Sequence, residues 1–401
     1  MTSVSVDGPE ILRQARTILP EVIELRRRLH QRPELGLMLP ATRAAVLQAL
    51  APLGLELTLS DTISSVVADL RGEGGSGPTV LLRADMDALP IEEKSGEDFA
   101  SLEAGRMHAC GHDAHAAMLV GAANLLSARR GSIAGTVRFV FQPGEENHFG
   151  AQLMMRDGVA EGVDCAYALH VTPSLPAGVV GVRNGPIMSA ANTFVIIVRG
   201  IGGHASLPHV TTDPVPAMCQ IVQALQSLVS RELSAFDPAI VGVGQVFAGH
   251  AINAIPATAK IAGTFRTTSS KARATIKKAI YRLAEGVAAT NECVAEVSIG
   301  DGYPATVNAS SAYMTVRSAA CRILPRASVI DMPHPLLGAD DFGFVLREVP
   351  GAMSLLGVCP ADVATPTVAP PCHADRFRIN EPSLAVGIGL HVATALTALS
   401  Q

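Results

Sequence analysis

Three strand-like runs in the first half of the chain, TVLLR, TVRFVF and AYAL, each lead into side chains that bind metals or move protons. Asp85-Met86-Asp87 follows the first, Gln142-Pro143-Gly144-Glu145-Glu146 the second, and His170 the third. A fourth polar segment, Cys110 to Asp113, directly precedes a helical pattern. In an open α/β sheet the carboxyl ends of the strands face the ligand crevice, so one sheet would gather these clusters along one edge. The fold this calls for is a layered α/β domain.

Periodicity fills in the rest. An amphipathic helix is expected over 8–30, with Ile11, Ile18, Val22, Leu25 and Leu29 on one face, and a second over 41–53. Strands are expected at 66–70 and 79–83, parted by a glycine-rich turn. A helix over 113–130 stops at Gly131, and a strand at 136–141, a short helix at 151–156 and a strand at 165–169 follow. The middle of the chain changes character: strand 192–199, helix 214–233, strands 240–246 and 259–266, helix 269–289, strand 293–299. That β-α-β-β-α-β order is the ferredoxin-like one. The expected organisation is an inserted domain at 185–300, carried by an α/β domain built from 1–184 and 301–401, with a closing helix at 383–399.

With 401 residues and 48% hydrophobic content there is material for a large core and more than one domain. A net charge of -5 gives no nucleic-acid footprint. The seven cysteines follow no framework spacing, which points to reduced thiols and a cytoplasmic setting. The first ten residues carry neither a basic nor an apolar leader region, and no apolar run is expected to approach the length needed to span a bilayer.

The chemistry sits in His108-Ala109-Cys110-Gly111-His112-Asp113, where a thiol and an imidazole two residues apart form a ready chelate. Each cluster alone has a plain structural meaning: Cys110 as a small buried residue, His170 as a satisfied strand-end histidine, Glu145-Glu146 as a solvated turn. Jointly they offer sulfur, nitrogen and carboxylate oxygen to borderline-soft divalent ions, with a carboxylate to spare as general base. The pattern points to a metal-dependent hydrolase.

RADMDALPI, MHACGHDAH, FQPGEE, YALHV, GGHASLPH, NAIPATAKIAGTFR, GADDF and CHADRF follow one another in the order found in dinuclear metallo-aminoacylases and carboxypeptidases. The chain resembles the branch of hippurate hydrolases and indole-acetyl-amino-acid amidohydrolases. The resemblance implies a metallo-exopeptidase-like α/β/α catalytic domain with an inserted ferredoxin-like α+β lid and dimerisation domain. It implies two divalent ions, zinc or manganese with nickel or cobalt as alternatives, bridged by Cys110. His112 and His170 would complete one site, and Glu146 and His373 the other. Glu145 would be general base and then proton donor. Asp87, counted with the catalytic set, would orient imidazole ligands together with Asp85. His204 would stabilise the oxyanion in the partner subunit of a homodimer, while Asn253 and Arg266 would hold the substrate carbonyl or carboxylate. The implied substrate is a small acyl amino acid, with no nucleic acid or membrane partner. A dipeptidase, a carbamoyl-amino-acid hydrolase, or a non-catalytic binding protein on the same fold are the alternatives; the complete ligand set speaks against the last.

Three positions depart from the family pattern. Asp340 stands where relatives usually carry glutamate, apolar residues follow Pro33-Glu34-Leu35 where relatives place another glutamate, and Asn147-His148-Phe149 replaces a glycine run. None is a proposed ligand.

Overall fold

The computed structural model describes residues 7–401; residues 1–6, part of the leader-free N-terminus expected above, lie outside the described residues. The chain divides into two compact units. Among the described residues the first comprises 7–187, 307–334 and 341–401, and the second 188–306 and 335–340. The second therefore extends past the expected 185–300 and recruits a short return segment.

The first unit is built on an eight-stranded mixed sheet. Its strands are β1 (Glu56–Leu59), β2 (Val66–Arg71), β3 (Thr79–Asp85), β4 (Thr136–Gln142), β5 (Cys165–Thr172) and β6 (Val180–Val182). In the second unit lie β7 (Ala190–Arg199), β8 (Ala239–Ala248), β9 (Thr258–Thr267) and β10 (Val294–Gly300). The first unit then resumes with β11 (Val329–Asp331) and β12 (Gly351–Gly357). The large sheet runs β1-β2-β4-β3-β5-β12-β6-β11. Its centre, β4-β3-β5-β12, is parallel, while β1, β2 and β6 pair antiparallel with their inner neighbours. Buried residues of β3 and β12 run without alternation, as expected of strands covered on both faces.

Helices α1 (Gly8–His30), α2 (Pro40–Leu50), α3 (His112–Ser127), α4 (Gly150–Arg156), α7 (Ser310–Ile323), α8 (Gly343–Glu348) and α9 (Leu384–Leu399) accompany this sheet. α1 begins at an Asp7 cap that accepts from the Glu10 amide. α2 lacks a cap of its own; the Glu34 carboxylate takes the amides of Ala41 and Thr42 instead. Ile11, Val22, Leu25 and Leu29 of α1 join α3, α7 and α9 in one apolar core. One expectation needs correcting. The stretch Glu381–Leu399 is long and apolar enough to cross a membrane by length and composition, but 94% of that window is buried inside the protein. It is apolar because it packs against α1, α3, α7 and β3.

The second unit has the strand order β8-β9-β7-β10, antiparallel throughout, with α5 (Pro214–Glu232) and α6 (Ser270–Thr290). This is the ferredoxin-like order. Phe194, Ile196, Val198, Ile261 and Phe265 meet Ile221, Leu225, Ile276 and Ile280 in a separate core.

Candidate metal centre

Strand ends and one helix start deliver the polar clusters of the first unit to a common place. Gly111 precedes α3 with φ +83°, and a Cβ there would lie 2.4 Å from Val171 Cγ2. Only glycine makes this turn, and the turn sets Cys110 and His112 on either side of it. β4 ends at Gln142, and Gly144 (φ +74°) turns the chain so that Glu145 and Glu146 point back. His170 lies inside β5. His373 has φ +71°, a left-handed backbone costing about 1–2 kcal/mol for a non-glycine residue. Its amide donates to the Ala109 carbonyl at 2.7 Å, clasping the C-terminal segment to the Cys110 loop.

The donor atoms form overlapping triplets. Cys110, His112 and His170 offer ligand atoms all within 4.8 Å of one another, and so do Cys110, Glu146 and His373. Cys110 belongs to both. His112, Glu145 and Glu146 form a third such group. His170 Nε2 is 3.6 Å from Cys110 Sγ, and His373 Nε2 is 3.2 Å from Glu146 Oε1. Each central imidazole spends its other nitrogen on a carbonyl: His112 Nδ1 donates to Asp87 O at 2.8 Å, His170 Nδ1 to Val171 O at 2.6 Å. That arrangement turns the Nε2 atoms inward, as metal-binding histidines require.

Two buried atoms test whether cations fit. His112 Nε2 makes no hydrogen bond, and Glu146 Oε1, 4.0 Å from it, faces the His373 ring nitrogen at 3.2 Å. Burial opposes protonation of His112, yet Asp85, Asp87 and Glu146 outweigh it and hold its pKa well above the ordinary value. The site draws positive charge. The Cys110 thiol is pushed well up by its hydrogen bond with Cys372, by burial and by the charge of Glu146 and Glu145. Such a thiol ionises readily only with a cation beside it. Sulfur, three imidazoles and paired carboxylates therefore fit a two-ion site.

Asp87 has a different position from a residue that meets substrate. Its two oxygens accept the amides of Glu145 and Glu146, each at 2.9 Å, and its carbonyl holds His112. It clamps the glutamate turn. Asp85 accepts from His115 Nδ1 at 2.6 Å and from Arg83 Nη1 at 2.5 Å. Arg83 continues to Asp341 at 2.8 Å and Gln142 at 2.9 Å, and Gln142 also donates to Asp341. The sequence reading gave Arg83 and Asp341 no role; the available signal was an arginine closing the apolar run TVLLR. Asp113 pairs with Arg26 at 2.7 Å and His30 at 2.8 Å, tying α3 to α1. His108 is buried with neither ring nitrogen bonded, and burial lowers its pKa to about 4.

His204, Asn253 and Arg266 belong to the second unit. His204 is exposed, on a two-residue strand (Gly203–His204) paired with Ala254–Ile255, and the Asn253 carbonyl accepts from the Ala205 amide at 3.0 Å. Arg266 is half-buried in β9, opposite Ala191 and Ile240.

Comparison with known proteins agrees with this chemistry. Residues 81–397 match the model of peptidase family M20/M25/M40. The chain is 39% identical over 341 residues to the N-acetyl-L-cysteine deacetylase of Bacillus subtilis (strain 168), covering 85% of this chain and 81% of that protein. It is 37% identical over 380 residues to the IAA-amino acid hydrolase ILR1-like 4 of Arabidopsis thaliana, covering 93% and 84%. Among solved structures, a dinuclear metal-binding peptidase of the M20 family from Bacillus subtilis superimposes with a TM-score of 0.84 at 32% identity, over 96% of this chain and 99% of that one. The chain thus belongs to peptidase family M20/M25/M40 and is a metal-dependent hydrolase of amide bonds.

Proposed function

We propose that this enzyme cleaves small N-acyl amino acids, hippurate-like conjugates among them, to a carboxylic acid and a free amino acid. The observation that carries the reading is the pair of ligand triplets sharing Cys110, with Glu145 alongside. Cys110, His112 and His170 would hold one ion, and Cys110, Glu146 and His373 the other. When bound, the ions supply Lewis acidity toward the amide carbonyl and toward water. Thiolate and imidazole favour zinc; manganese, nickel and cobalt remain compatible.

Glu145 is buried beside the ligand triplets with its backbone fixed by Asp87, and its carboxylate is assigned to accept a proton from the attacking water. It returns that proton to the departing amine. Asp87 keeps the two glutamates in separate roles by fixing both amides. His204 is assigned to the oxyanion, and Asn253 and Arg266 to the carbonyl and the amino-acid carboxylate, for which a planar guanidinium is suited.

A homodimer formed through the second unit is part of the proposal. Its support is β8, an edge strand exposing Ile240, Val246 and Phe247, with Phe236 and Ile252 exposed nearby. An apolar edge of this kind is a template for pairing. A reducing, cytoplasmic setting is proposed as well, in keeping with seven free cysteines.

The test is turnover of an N-acyl amino-acid panel by metal-analysed protein, with dipeptides and N-carbamoyl amino acids as comparison substrates. Glu145→Gln should lower kcat about a hundred- to ten-thousand-fold with metal content retained. Metal-replete protein inert toward every acyl amino acid, yet active on a comparison class, would replace this substrate assignment.

A further inference from the structure

His115 stands one helical turn from His112 on α3 and has no place in the ligand set. We propose that it is a positioning residue that holds the end of β5, and through it the ring of His170, in the geometry metal binding needs. The inference rests on the assignment of His170 as a ligand.

The need for it arises in the sheet. β3 pairs with β5 only as far as Arg83 opposite Ala168. Beyond that point β5 continues to Thr172 without its β3 neighbour. The Val171 amide lies in this overhang, fully buried, and donates to His115 Nε2 at 2.8 Å. A nitrogen that accepts an N–H carries no proton, so the proton of His115 sits on Nδ1. It is given to Asp85 Oδ1 at 2.6 Å. The other oxygen of Asp85 is held by Arg83, which is anchored in turn by Asp341 and Gln142. The carbonyl of the same residue accepts from His170 Nδ1 at 2.6 Å. One residue of β5 thus has both backbone groups taken by imidazoles whose rings lie 4.6 Å apart. One imidazole fixes the backbone; the other is fixed by it, with Nε2 toward Cys110.

This assignment also decides a rival. Asp85, His112 and His115 carry ligand atoms within 4.8 Å of one another and by distance alone could hold an ion. Both nitrogens of His115 are already committed, to a backbone amide and to a carboxylate. It has no lone pair left for a metal.

The experiment is competition titration of metal-free full-length protein with a chromophoric zinc chelator, which needs no substrate. Wild type should take up two zinc ions. His115→Phe keeps the ring volume and should weaken one binding step about 10- to 100-fold. That step should be the one weakened by His170→Ala and not the one weakened by His373→Ala, and combining His115→Phe with His170→Ala should add nothing. Equal loss in both steps, or none, would overturn the proposal. A wild type that binds fewer than two ions would remove the ligand assignment itself, and this proposal with it. Should His115→Phe not fold, histidine ¹⁵N spectra of wild type decide the matter. Nε2 of His115 should be unprotonated and unmoved by zinc while Nε2 of His170 shifts; a zinc-induced shift at His115 overturns the proposal.

Discussion

Gly111 shows how much a single position can decide. Its left-handed backbone and the 2.4 Å approach to Val171 leave no space for a methyl group. Gly111→Ala should cost about 1–3 kcal/mol in denaturant unfolding and lower metal content together, because the turn spaces Cys110 from His112; unchanged stability with full metal loading would contradict this. Asp87 offers a milder case. Asp87→Asn keeps one acceptor but turns an amide group toward a backbone N–H, so activity should fall about 10- to 100-fold with the fold intact. Steady-state kinetics beside a circular dichroism spectrum would check it. The ligand types were legible in the sequence, because few other residues suit such ions. The family resemblance marked His112, and not His115, as a ligand, whereas residue type alone did not separate them. Their roles depend on which partners occupy Nδ1 and Nε2, and those partners come from Asp87, Asp85 and Val171, on other segments of the chain.

At the level of elements, β3 was legible although it does not alternate, while β1 and β12 were not. Helix α1 was readable because its apolar stripe faces a core. β12, GAMSLLG, is buried at every residue, so it shows no period by which to recognise it. β1 fails for the opposite reason, with all four residues exposed. α9 hides a titratable residue. His391 is buried among apolar side chains, and burial, with the nearby His115, depresses its pKa to about 3. The unfolded chain takes up that proton near pH 6.5 and the folded chain only near 3. Stability from this group is therefore complete above about pH 6.5 and is lost as pH falls, at about 1.4 kcal/mol per unit across the window. His391→Met should flatten the fall of Tm with acidification relative to wild type. Parallel curves for the two proteins would refute the assignment.

For the molecule as a whole, the site concentrates Asp85, Asp87, Glu145 and Glu146 in a buried space that draws positive charge. Chelation should abolish turnover and also lower Tm, and zinc should restore both; a Tm indifferent to chelator would show that the ions contribute nothing to folding. The proposed dimer gives a separate prediction. Mixing Glu145→Gln protein with His204→Ala protein, each inactive alone, should regenerate activity if subunits exchange and His204 serves its neighbour. Silence after demonstrated exchange would place both residues in one subunit's site. The order of strands has a further consequence, for biosynthesis. β12 lies between β5 and β6, and His373 is clasped to Ala109. A ribosome-bound chain that has not yet emerged past residue 357 has its sheet unjoined, and one not yet past residue 373 has one ion without its histidine. Complete metal loading should therefore wait until residue 373 has emerged, and nascent enzyme should stay inert before that point.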